Sequence, residues 1–152
     1  MVDTWRSTYR GIVPDELLDN LNYENRAAGF RRMYEEGGPA FPFVAVDSER
    51  GVIGLASGGP EREHLPGVAG ELYAIYILAD YQGQGIGRQL VRAVFEQLAE
   101  AKLSPAVIWA LAENPACRFY QKLGGVEIGR KTIDLGGKQL LELGFGFENL
   151  EV

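Results

Sequence analysis

The stretch DYQGQGIGRQL, Asp80 to Leu90, places glycine at 83, 85 and 87 directly ahead of an apolar-periodic run led by Leu90, Val91, Val94, Phe95 and Leu98. Glycine costs roughly 1 kcal/mol per helical residue relative to alanine. Three glycines in five residues at a helix start therefore call for a job that only a bare backbone can do. Upstream, ELYAIYIL (71–78) is rich in β-branched and aromatic residues and reads as a strand. The order strand, glycine loop, helix leaves several backbone N–H groups unpaired at the positive end of a helix dipole, where missing side chains let an anion approach closely. The alternative is a tight turn that merely tolerates glycine. Other phosphate motifs fit worse: a Walker-type P-loop needs Lys-Ser or Lys-Thr after its last glycine, where Arg88-Gln89 stand, and the dinucleotide fingerprint needs glycine at position 88.

Outward from this loop the elements follow in order. VPDELLDNL sets Pro14 and Asp15 ahead of Leu17, Leu18 and Leu21, a helix start followed by an apolar stripe. A second helix is predicted over 23–36, stopped by Gly37-Gly38. FPFVAVDSERGVIGLASGG (41–59) reads as a hairpin around SERG, and GPEREHLPGVAG (59–70) as a loop. After the strand at 71–78 and the helix at 85–102 come a strand at AVIWAL (106–111), a short helix within NPACRFYQKLG (114–124), and a closing hairpin around Gly136-Gly137. Hairpins at both ends with a strand–helix–strand unit between them imply an α+β fold with a mixed, mostly antiparallel central sheet flanked by helices.

The 152 residues, 46% hydrophobic, suffice for one domain with its own core over 1–152. A single cysteine excludes an internal disulfide and suits a reducing compartment. No apolar run approaches the roughly 20 residues of a membrane span, and MVDTWRSTYR lacks a signal-peptide core, so the expected location is cytoplasmic, without membrane attachment. A net charge of −6, with 15 scattered Lys and Arg, argues against nucleic acid as a partner. Nothing clusters Cys and His as a metal site would.

The chain resembles the GNAT superfamily of acyl-CoA-dependent N-acyltransferases. Gln82-Gly83-Gln84-Gly85-Ile86-Gly87 matches that family's Gln/Arg-x-x-Gly-x-Gly/Ala pyrophosphate loop, and NPACRFYQKLGG is similar to its Asn-x-x-Ala-x-x-x-Tyr-x-x-x-Gly-Phe segment through Asn114, Tyr120, Leu123 and Gly124. TWRSTYRGIVPDELLD also looks like the amino-terminal helices of one bacterial subgroup. The resemblance implies acetyl transfer from acetyl-CoA to a primary amine of a small molecule, peptide or protein. A non-catalytic acyl-CoA-binding sensor or partner module is the alternative. It further implies that the backbone from Gln82 to Arg88 holds the pyrophosphate and that Asn114 contacts the pantetheine arm. Two departures stand out. Family members usually carry another strand before the helix that here starts almost at Met1, so either the true start lies upstream or the sheet lacks its first strand. A bare sheet edge would invite pairing with another chain, and a homodimer is one such partner. The usual Gly-Phe is Gly124-Gly125 here.

Acyl transfer from a thioester to an amine needs a neutral amine, donors for the developing oxyanion, and a proton for the departing thiolate. Glu71 stands where the histone acetyltransferase branch of the family carries its general base, and strict alternation would put it on one face with Tyr73, Ile75 and Ile77. Its other reading is a solvated strand-end carboxylate. Branches that place the base on the next strand have no counterpart here, where Trp109 stands. Tyr120, on the inward side of a helix capped by Asn114, is the candidate acid, with a plain aromatic core residue as the alternative. Backbone N–H groups around Ile75, Tyr76 and Ile77 are the candidate oxyanion donors. His64 reads as surface, Cys117 as a small buried hydrophobe, and Trp5 and Tyr9 as core or acceptor-pocket wall.

Overall fold

The computed structural model describes the backbone of residues 1–152 and the side chains of all of them except residues 33 and 34. Three helices lead: α1 (Val2–Tyr9), α2 (Asp15–Asp19) and α3 (Tyr23–Glu35). The hairpin β1 (Phe41–Asp47) and β2 (Gly51–Pro60) follows, then β3 (Gly70–Ile77), a single 3-10 turn at Ala79–Tyr81, α4 (Ile86–Glu100), β4 (Ala106–Leu111), α5 (Ala116–Lys122), β5 (Val126–Leu135) and β6 (Lys138–Phe147). The sheet runs β1-β2-β3-β4-β6-β5, with every neighbouring pair antiparallel except β3 and β4. This is the mixed, mostly antiparallel α+β sheet that the order of elements implies. The loop expected over 59–70 is shorter by its ends, because Pro60 and Gly70 join the ladders of β2 and β3. Among the described residues no strand lies outside β1, whose Val44 and Val46 are 58% and 65% exposed.

Helix α4 covers one face. Its Leu90, Val91, Val94, Phe95 and Leu98 recur at helical spacing and are all buried; burying each contributes roughly 1.5–3 kcal/mol. They join Ala56, Leu72, Ile108, Phe145 and, from α5, Cys117, Tyr120 and Leu123 in the larger core. Phe95 meets Phe147 edge to face at 5.0 Å. Glycines let the helix approach: a methyl group at Gly58 would meet Val94 at 2.5 Å and one at Gly54 would meet Leu90 at 3.2 Å. On the opposite face α1 and α2 build a second core from Val2, Val13, Leu18 and Leu21 against Leu111 and Leu140.

Strict alternation fails in β3. Ser57 pairs with Ala74 but Gly58 pairs with Leu72, so Tyr73 is an extra residue in the ladder. Such a bulge shifts the side-chain phase by one. Leu72, Ile75 and Ile77 thus all join the α4 core despite their uneven spacing. Glu71 is thrown to the other face, away from Ile75 and Ile77. The face expected from alternation is corrected accordingly.

The one parallel pair shapes the molecule's cleft. β3 and β4 are in register only from Gly70–Leu72 against Ala106–Ile108, after which they part. Beyond Leu72, β3 is paired only with β2, and its other edge is open.

Candidate active site

Where β3 and β4 separate, a cleft of about 910 Å³ opens, lined by Leu72 to Ile77 of β3, the 82–88 loop, Ile108 to Ala110 of β4, Asn114, Tyr120 and the inner side of α1. The glycine loop forms one end. Gly83 and Gly85 have φ of +74° and +84°, and nothing lies within 4 Å of where their side chains would start. They serve backbone shape and leave open space. Gly87 is different: a methyl group there would meet Phe119 at 3.2 Å and Ile77 at 3.3 Å, so this glycine lets α4 seat against α5 and β3. Gln82 Nε2 donates to the Ile77 carbonyl at 3.1 Å and Gln84 Nε2 to the Asp80 carbonyl at 2.9 Å, pinning the loop to the end of β3. Among the described residues no protein acceptor meets the N–H groups of residues 83–88. These donors, at the start of a 15-residue helix, fit a phosphate-bearing ligand.

Asn114 does two things. Its Oδ1 accepts the Ala116 N–H at 2.9 Å, starting α5, and its Nδ2 donates to the Tyr9 hydroxyl oxygen at 3.1 Å. The first is a side-chain turn one residue ahead of the N-cap, which is Pro115 and not Asn114 as the sequence predicts. The second ties α5 to α1 across the cleft, a contact no local pattern reveals. Tyr120 is buried, its ring 5.5 Å from Phe119 and 5.8 Å from Phe145, and it lines the cleft. Burial, with smaller contributions from Tyr9, Cys117 and Tyr76, pushes its phenol well above the ordinary tyrosine value. Burial likewise pushes Tyr9 up to about 12. Both are neutral O–H groups throughout the working pH range. Tyr9, Tyr76 and Tyr120 thus converge where the sheet is parted.

Glu71 is 2% exposed and fully engaged. Arg62 grips it with Nη2 at 2.5 Å from Oε1, Nε at 3.1 Å from Oε2, and its backbone N–H at 3.2 Å from Oε2. The same guanidinium lies 4.1 Å from the centre of the Tyr73 ring, whose hydroxyl donates to the Pro60 carbonyl at 2.6 Å. Glu71 is absent from the cleft wall, which begins at Leu72. Neither the sequence's spacing nor its charge pattern announces Arg62 as the partner. The same is true of Lys131, which sits beside Glu142 at 3.4 Å, Glu63 and the face of Trp109.

The remaining sequence-stressed residues take ordinary places. His64 is exposed in the β2–β3 loop and Cys117 is buried, its thiol directed to the Leu111 carbonyl at 3.2 Å. Trp5 packs on the second core, 4.8 Å from Tyr9. Among the described residues no group of three or more His, Cys, Asp or Glu could hold a metal ion, and no helix is long and apolar enough to cross a membrane.

Residues 1–125 match the model of the acetyltransferase (GNAT) family. YuaI of Bacillus subtilis (strain 168), described as an uncharacterized N-acetyltransferase, is 36% identical over 149 residues, which cover 98% of this chain and 84% of that protein. The ribosomal-protein-alanine N-acetyltransferase of Brucella melitensis superposes with a TM-score of 0.65 at 27% identity, over 85% of this chain and 80% of that one. The yncA protein of Salmonella typhimurium, solved with its cofactor acetyl-CoA, has the same fold, with a TM-score of 0.64 at 21% identity over 84% and 74% of the two chains. The parted β3–β4 pair, the glycine loop and these likenesses agree: the chain belongs to the acetyltransferase (GNAT) family and is an acyltransferase of that type.

Proposed function

We propose that the chain transfers the acetyl group of acetyl-CoA to a primary amine in the cleft between β3 and β4. The observation that carries this reading is the run of unengaged N–H groups at 83–88, opening at the start of α4 into a cleft that holds a buried phenol. When bound, acetyl-CoA supplies an activated acyl group. The backbone of Gly83, Gln84, Gly85, Ile86, Gly87 and Arg88 holds its pyrophosphate, while Gln82 acts by pinning the loop. Asn114 keeps α5 in place and offers its amide to the pantetheine arm. The open edge of β3 presents the N–H groups of Ile75 and Ile77 to the negative charge that develops on the thioester oxygen, while that of Tyr76, between them, is turned toward Leu55 of β2. Tyr120 gives its proton to the departing thiolate and is restored from water.

Glu71 is the candidate base for the amine's proton; because Leu72 is the first β3 residue on the cleft wall, it can act only through water, and its pairing with Arg62 opposes that role. Binding of acetyl-CoA followed by calorimetry, together with thiol release in the presence of a panel of primary amines, tests the whole reading. Saturable binding with amine-dependent thiol release supports it. Binding without release from any amine would leave a module that only holds acyl-CoA.

A further inference from the structure

Tyr9 carries a hydroxyl hydrogen that the chemistry above does not use, and the polarity of its bond to Asn114 shows that this hydrogen is free. Asn114 Oδ1 accepts the Ala116 N–H at 2.9 Å, and a backbone N–H can only donate, so the amide atom 3.1 Å from the Tyr9 hydroxyl is Nδ2. An amide nitrogen has no lone pair to offer. The phenol oxygen therefore accepts at that contact, and its own hydrogen is turned away from Asn114. Among the described residues no acceptor takes it.

The hydroxyl stands at the cleft. Tyr9, Tyr76, Asn114 and Tyr120 all line it, and the three phenols are close enough together for the ionisation of one to be felt by the next. The Trp5 ring, 4.8 Å away, supports the Tyr9 ring within α1. Burial keeps the Tyr9 phenol neutral up to about 12, so its hydrogen is in place throughout the working pH range. Among the described residues only Arg88 and Lys122 put charge on the cleft wall. Arg88 belongs to the glycine loop, and Lys122 lies one turn beyond Phe119, the ring that meets Gly87. The stretch of cleft at Tyr9 and Asn114 thus offers neutral donors, which suit a neutral acceptor such as an amide carbonyl.

Asn114 spends one N–H on Tyr9 and keeps the other, so an N–H from the start of α5 and an O–H from the end of α1 stand side by side at the cleft. The arm of acetyl-CoA between pyrophosphate and thioester is built of amides, whose carbonyl oxygens accept such bonds. On the acetyl-CoA reading above, we infer that Tyr9 is a further cofactor-binding residue, its O–H donating to an amide carbonyl of the pantetheine arm beside the Asn114 N–H. The bound arm then joins α1, which packs on one core, to α5, which packs on the other.

The test is calorimetry on the intact chain with acetyl-CoA, with coenzyme A, and with adenosine 3′-phosphate 5′-diphosphate, which keeps the pyrophosphate and lacks the arm. Tyr9→Phe should weaken acetyl-CoA and coenzyme A alike by about 3- to 10-fold, the range of one neutral hydrogen bond, and leave the armless nucleotide within about 2-fold. No loss for acetyl-CoA, or an equal loss for the nucleotide, overturns the inference. A loss confined to acetyl-CoA would place the contact on the thioester oxygen and overturns it too. In an Asn114→Ala background the Tyr9→Phe loss should persist; its disappearance would make Tyr9 a support for Asn114 and no donor to the arm. A measurement on the wild type alone needs no variant to fold. Hydrogen exchange across α1 should slow by at least about 3-fold with saturating acetyl-CoA and stay unchanged with the nucleotide; equal slowing by both overturns the inference. A wild-type chain that binds the nucleotide and acetyl-CoA equally well also overturns it, whereas one that binds neither overturns the acetyl-CoA reading itself.

Discussion

At Tyr120 the ring and the hydroxyl have separable duties, and their separation makes the residue testable. The ring belongs to the core with Phe119 and Phe145, while the hydroxyl is assigned to the departing thiolate. Tyr120→Phe keeps the packing, so melting temperature and acetyl-CoA affinity should hold while turnover falls roughly 10- to 1,000-fold, the range of general acid catalysis. Near-normal turnover with a lowered melting temperature would make it a packing residue. The buried tyrosines also set an alkaline limit. A tyrosine in the unfolded chain ionises near 10, whereas burial holds Tyr9 neutral up to about 12 and Tyr120 beyond that. Their contribution to stability is thus fully present below pH 10 and is lost as pH climbs from there toward 12. Urea unfolding at pH 9 and 11.5 should show the fall, and Tyr9→Phe should flatten part of it; an equally steep fall in that variant would assign the loss elsewhere. Glu71→Gln should lower turnover most at neutral pH and least at high pH, where free amine is plentiful. A profile of unchanged shape and height would leave Glu71 only its structural pairing with Arg62.

Among the elements, the loop between β3 and α4 is assigned the binding and the strand glycines carry the packing. Gly85 sits at φ +84° in open space, so Gly85→Ala meets no atom and pays only for left-handed backbone, roughly 1–2 kcal/mol. That corresponds to a melting temperature lower by about 2–8 °C for a chain of this size. Gly70→Ala should cost more, because its methyl group would collide with the Leu103 carbonyl and press on Leu98 at 3.3 Å; thermal melts of the two variants side by side check the order. Much of this was legible. The strand, the glycine loop and the amphipathic helix are written in contiguous residues, and Asn114-Pro115 announces the start of α5. The bulge at Tyr73 was not, because it depends on how β2 pairs with β3, and a single extra residue silently exchanges the faces of Glu71 and Ile75. The contacts of Asn114 with Tyr9 and of Lys131 with Glu63 join residues 105 and 68 positions apart. No local spacing could reveal them.

For the molecule as a whole, one parallel pair in an otherwise antiparallel sheet makes the site. β3 and β4 share three residues of register and then diverge, so the two cores on opposite faces communicate through a gap lined by Tyr9, Tyr76 and Tyr120. α4 closes one face and aims its amino terminus into that gap; α1 and α2 close the other, with α1 on the cleft wall. The central claim is that acetyl-CoA is held there by bare backbone at the end of β3. Titration calorimetry of acetyl-CoA into the wild-type chain and into Gly85→Val, with circular dichroism confirming that the variant is folded, tests it most directly. Saturable wild-type binding that weakens by at least about 10-fold, or roughly 1.4 kcal/mol, in the variant is the predicted result. Equal affinity in a folded Gly85→Val chain would contradict it.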